Sequence, residues 1–229
     1  MEKSLKIKLI YRSITVLIAV VSLYFTVAGR GARTLIYYTT WSVWFASLTS
    51  FCSFSRTVRE IRGERKTDDK FNALKFSSAV MIFATFVMSA ISLPDKIWQA
   101  GYWTASSTFK HFLLPLAVVT DEIIFSKKGE HKWWFVLTSM IAPLFYWTGV
   151  LSRIFIARSF YGGAIPRAKG YDYYPYPFVY IDGGVSVSSI FLLLASVGVC
   201  LILISTLMVY LNKKAVRKQT AIDIRIFKQ

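Results

Sequence analysis

The sequence predicts an all-α membrane protein: one domain over residues 1–229, folded as a bundle of six transmembrane helices with both termini in the cytoplasm. Three observations lead there. The chain is 55% hydrophobic and 17% aromatic with a mean hydropathy of +0.46, which is too apolar for a water-soluble domain of 229 residues. It offers six apolar stretches near the ~20 residues that a hydrocarbon core requires. The segments between them carry their basic charge mainly on one side.

The expected helices are 9–29, 34–55, 73–94, 106–126, 133–155 and 183–211. Five have charge-free centres: Ser13–Gly29, Thr34–Ser55, Phe76–Leu93, Trp133–Ser152 and Gly184–Tyr210. The remaining one, 106–126, carries charge only towards its ends. Strand-type alternation is absent, which excludes a barrel. The first stretch precedes small residues near Ala28 and resembles a leader, but the charge alternation works only if it is kept.

Net charge is +16, a value that in a soluble domain would suggest nucleic acid. Its distribution says otherwise. Assigning ends and loops alternately to two sides places 20 Lys and Arg with the termini and 8 opposite. The positive-inside rule then sets both termini in the cytoplasm. Attraction to anionic lipid accounts for the rest, so membrane lipids are the expected partners and nucleic acid is not. Cys52 and Cys200 show neither metal nor disulfide spacing and read as small buried hydrophobes. No metal or cofactor is expected.

Two connectors stand out. "RTVREIRGERKTDDKFNALK" is a charged cytoplasmic link that extends the second helix. "RSFYGGAIPRAKGYDYYPYPFVYIDGG" is the longest external segment, rich in Gly, Pro and Tyr, and a segment of that length is more often functional than idle. Trp98, Tyr102 and Trp103 outside, with Trp133 and Trp134 inside, read as interfacial anchors.

Candidate chemistry begins with "STFKHFLLPLAVVTDEIIF", from Ser107 to Phe125. His111 lies about one turn below the outer interface, where an ionisable side chain is a functional hypothesis by default. Pro115 lacks the N–H that would bond the carbonyl four residues back, which belongs to His111, so a bend is expected there. Asp121 falls ~15 Å deeper and reads as structural or as a second polar layer. Glu122 is expected to cap the inner end near Lys127 and Lys128.

Thr39, Thr40, Asp182 and Arg153 fall in the same outer slab as His111. A hydroxyl, an imidazole and a carboxylate are what acyl transfer requires, because the hydroxyl is a poor nucleophile until a base removes its proton. Thr39 is the expected nucleophile, with Thr40 as the alternative, and His111 is the base. Asp182 would orient His111, and Arg153 would bind a substrate carboxylate. Two other readings use the same slab: a transporter or channel for a small amphiphile with Asp121 as a relay, or a non-catalytic lipid-binding protein.

Three motifs, "YYTTWS", "HFLLPLAVVTDEIIF" and "YYPYPFVYIDGG", resemble the androgen-induced and androgen-dependent TFPI-regulating protein family of six-helix membrane threonine hydrolases. The resemblance is closest to the bacterial branch and runs along nearly the whole chain. It implies hydrolysis of a fatty-acyl lipid ester, with the essential Thr at Thr39 and the essential His at His111. It also implies a bacterial plasma membrane.

Overall fold

The structure, a computed structural model, describes residues 2–28, 31–64, 68–92, 104–166 and 173–226. Trp98, Tyr102 and Trp103 lie outside the described residues. Among those described there is no strand. Helix α1 is Glu2–Ala28, α2 is Tyr38–Ile61 and α3 is Asp69–Ser92. Helix α4 is composite, with Ala105–Thr108, a π-helical turn Phe109–Leu113, and Leu114–Phe125. Helix α5 is Trp134–Phe160 and α6 is Val187–Ile226, preceded by short 3-10 turns at Pro177–Val179 and Ile181–Gly183.

Four segments are long and apolar enough to cross a membrane: Ser4–Ala28, Asp69–Ala90, Trp134–Phe160 and Val187–Ala215. The other two expected spans differ from these for visible reasons. Helix α2 has 24 residues but is rich in Ser and Thr, and α4 is interrupted by its π-turn.

The polarity of α2 runs opposite to that of a soluble helix. Its hydroxyls Thr40, Ser42, Ser47, Thr49, Ser50, Ser53 and Thr57 are buried, while Trp41, Trp44, Leu48 and Phe51 face outwards. Lipid rewards that arrangement: small residues let helices approach, hydroxyls bond across, and large apolar side chains meet acyl chains. The hydroxyls pair between helices, Ser42 with Thr85 at 2.7 Å, Thr49 with Ser78 at 2.8 Å and Ser139 with Ser205 at 2.9 Å. Such bonds average ~0.6 kcal/mol each in membranes, so they fix rotation more than stability.

Packing divides into two buried clusters. Ala19, Val43, Ala46, Ala79, Ile82, Leu114 and Val118 join α1 to α4. A larger cluster, including Phe76, Met81, Phe135, Tyr146, Ile154 and Val179, joins α3, α5, α6 and the segment before α6. Both helix-end chemistry and charge then define two ends. At the basic end Asp68 caps α3, its Oδ1 accepting from the Lys70 and Phe71 amides at 3.0 and 3.3 Å. The Phe71 N–H, above all, holds the Asp68 carboxyl below its ordinary pKa. Lys8 pairs with Glu60 at 2.8 Å at the same end. The opposite, aromatic end carries residues 173–183.

Candidate functional site at the aromatic end of the bundle

His111 sits inside the π-turn. Pro115 offers no N–H to the His111 carbonyl, and one residue earlier the Leu114 N–H reaches back five residues to Phe109. The Phe109 carbonyl also accepts from Ser22 Oγ at 3.3 Å, so α1 supports the widened turn. At the position of the expected bend the structure has a π-turn. The Nδ1 atom of His111 is buried and has no hydrogen-bond partner. Buried polar atoms are normally satisfied, which makes this one a candidate position for a site. Leu114 and Val118 follow on α4, and both are buried in the cluster shared with α2.

Thr39 lies in the first turn of α2, where four N–H groups have no helical acceptor. The N-cap residue Tyr37 supplies no side-chain bond. Tyr176 does so instead: its hydroxyl accepts the Tyr38 N–H at 2.9 Å. Burial pushes the Tyr176 hydroxyl pKa up from its ordinary value. Tyr146 donates to the Ile36 carbonyl at 2.5 Å. Aromatic rings wall this knot, with Tyr176 stacked on Phe178 at 5.1 Å and Tyr38 edge-on to Tyr146 at 5.2 Å.

Helical register places Thr39 above Val43, Ala46 and Ser50 at i+4, i+7 and i+11. Val43 and Ala46 belong to the cluster that also buries Leu114 and Val118. Neither Thr39 nor His111 belongs to that cluster, and no hydrogen bond joins the two. Thr40 is buried one step round the helix, its N–H donating to Tyr37 O at 3.1 Å.

Asp182 does something other than orient His111. Its carboxylate pairs with Arg158, accepts the Ile165 N–H at 2.9 Å and accepts the Tyr174 hydroxyl at 2.6 Å. These bonds use both oxygens and tie the segment before α6 to the end of α5. Arg153 donates to the Tyr173 carbonyl at 3.2 Å and stands over the Tyr173 ring. It does not join Thr39 or His111 but lines a separate cleft.

That cleft, about 600 Å³, lies between α2 and α5 with α3 as its floor. Its walls are apolar, including Ile36, Phe45, Met81, Ile141 and Phe145, with Lys70 at one extremity and Arg153 at the other.

Asp121 anchors a buried ionic knot at the basic end. Arg12 Nε meets Asp121 at 2.8 Å, and the same guanidinium donates to Ser53 O and Thr57 Oγ1 at 2.9 and 2.7 Å. Lys75 pairs with both Asp121 and Glu122 at 2.8 Å, and His131 Nε2 approaches Glu122 at 2.8 Å. Glu122 is only 2% exposed, so it belongs to this knot and does not cap an end near Lys127 and Lys128. Lys128 instead donates to Ile123 O at 2.7 Å. Sequence reading counted Arg12 and Lys75 as loop charges and passed over His131. The signal was the position of Arg12 and Lys75 inside α1 and α3; His131 lies in the connector before α5 and carries no such signal. Cys52 and Cys200 are free and exposed on outward faces, not buried; in a lipid-facing helix an exposed position suits a small hydrophobe as well as a core does.

Comparison of the chain with protein-family models, with characterised proteins and with solved structures returned no match.

Proposed function

We propose that the chain is a six-span membrane hydrolase that cleaves fatty-acyl lipid esters, with Thr39 as nucleophile and His111 as base. The basic end, which holds both termini, is the cytoplasmic one under the positive-inside rule. The bacterial plasma membrane follows from the resemblance of the three motifs. The observation that carries the reading is the buried, unpartnered His111 Nδ1 in a π-turn, just ahead of the α4 residues Leu114 and Val118 that pack in one cluster with Val43 and Ala46 of α2.

In the reaction the Thr39 hydroxyl donates a hydrogen bond to the His111 imidazole. Its oxygen attacks the ester carbonyl as the imidazole takes the proton, and the alcohol leaves with that proton. The acyl-threonine is then hydrolysed by a water deprotonated by the same ring. Unaligned hydrogen bonds before substrate binds are ordinary for such sites.

The absence of a hydrogen bond between Thr39 and His111 favours a second reading, a lipid-binding protein without catalysis. A carrier with Asp121 as a relay draws no such support. The cavity beside Arg12, Lys75 and Asp121 is about 10 Å³, room for no more than a single water. Purified protein incubated with a fluorophosphonate separates the readings: a hydrolase labels, and Thr39→Ala and His111→Ala abolish the label while both variants stay folded. An unlabelled, folded wild type leaves the lipid-binding reading.

A further inference from the structure

We propose that the cleft between α2 and α5 is a lipid site distinct from the Thr39–His111 region, built for one acyl chain of an anionic phospholipid whose phosphate pairs with Arg153. Neither Thr39 nor His111 lines it. Its rim is made of exposed apolar residues, among them Leu35, Trp41, Ile141 and Phe145, so it opens where the bundle meets the bilayer. Water is excluded at that depth, which leaves hydrocarbon as the natural filling. A volume of about 600 Å³ falls within the range of sites for single small ligands.

Small residues shape the hollow. Gly149 and Ala142 line it from α5, and a Cβ placed on Gly149 would meet no atom within 4 Å. Charge fixes the orientation of the ligand. From Trp134 to Arg153 the helix climbs ~28 Å, close to the thickness of a hydrocarbon core, so Arg153 stands at headgroup level above an apolar trough. Its guanidinium is steadied by the Tyr173 carbonyl at 3.2 Å and presents its charge to the end of the cleft. A planar cation of that kind pairs with a phosphate, and it repels the choline cation of a zwitterionic headgroup where the neutral glycerol of phosphatidylglycerol meets no such penalty.

Two variants test the site without touching Thr39 or His111. Gly149→Leu fills the trough, and the exchange favours an exposed helix position by about 1 kcal/mol, so loss of fold is not its expected effect. Arg153→Gln removes the charge and keeps the shape. Each protein is reconstituted in nanodiscs of equal phosphatidylglycerol and phosphatidylcholine, released into mild detergent, and weighed intact by native mass spectrometry. The wild type is expected to hold one phosphatidylglycerol per chain. Gly149→Leu should lower that occupancy at least fivefold for either lipid, and Arg153→Gln should remove the preference for the anionic one. Unchanged occupancy in both variants, or equal retention of both lipids by the wild type, overturns the proposal. Fluorophosphonate labelling has no bearing on it, so this site and the hydrolase reading can fail separately.

Discussion

The hydroxyl of Tyr176 sits on the first turn of α2 and accepts the Tyr38 N–H at 2.9 Å. A residue 138 positions away thus supplies the cap that Tyr37 does not. Tyr176→Phe removes that acceptor and leaves the Tyr38 N–H unsatisfied in a buried place. The expected cost is about 1–2 kcal/mol, read as a fall in the melting temperature of the detergent-solubilised protein. An unchanged melting temperature would show that the bond contributes nothing.

Gly183 and Gly184 turn the chain between the segment that holds Tyr176 and the start of α6. A Cβ on Gly183 would collide with the Tyr180 ring, and Gly184 has φ +94°. Gly183→Ala should therefore displace Tyr180 from its contact with Tyr174, where the ring centroids are 4.9 Å apart. Gly184→Ala meets no atom but adopts a left-handed conformation at a cost of roughly 1 kcal/mol. Limited proteolysis within 173–186 should accelerate in both variants, and more in Gly183→Ala.

Lys75 faces two acids at once. Lys75→Met removes the cation that Asp121 and Glu122 share, both of them buried. Breaking a buried pair in this way costs about 3–5 kcal/mol. The double variant Lys75→Met/Glu122→Gln restores the net charge of the knot and should recover most of the folded yield, measured by size-exclusion chromatography in detergent. A double variant as poor as the single one would mean that shape, not charge, governs the knot.

Pro115→Ala returns an N–H that can bond the His111 carbonyl. Thermal stability should rise by up to ~1 kcal/mol as the helix regularises. Fluorophosphonate labelling should fall at least tenfold as the imidazole turns from its position. Labelling at the wild-type rate would remove the π-turn from the account.

Much of this arrangement is legible in composition and spacing, because hydrophobic length and proline geometry are local. The helical segments and the break in regular α-helix just ahead of Pro115 follow from runs of a few residues. Pairings across the bundle are not local. Asp182 and His111 share a depth in the sequence reading, yet Asp182 is spent on Arg158, Tyr174 and the Ile165 amide. Glu122 looks like a helix-end acid beside Lys127 and Lys128, but burial turns it towards Lys75 and His131. Depth can be counted along one helix, whereas facing depends on the rotation of its neighbours, and that rotation is set by hydroxyl pairs such as Ser42 with Thr85.

Mapping the covalent adduct is the sharpest test of the central claim. Wild-type protein is treated with a fluorophosphonate, digested, and sequenced by tandem mass spectrometry through the peptide containing residues 34–56. The account predicts the phosphonyl mass on Thr39, lost when His111 is changed to Ala. A stable adduct on Thr40, Ser42 or Tyr176 instead, or one on Thr39 that forms equally fast without His111, would contradict it.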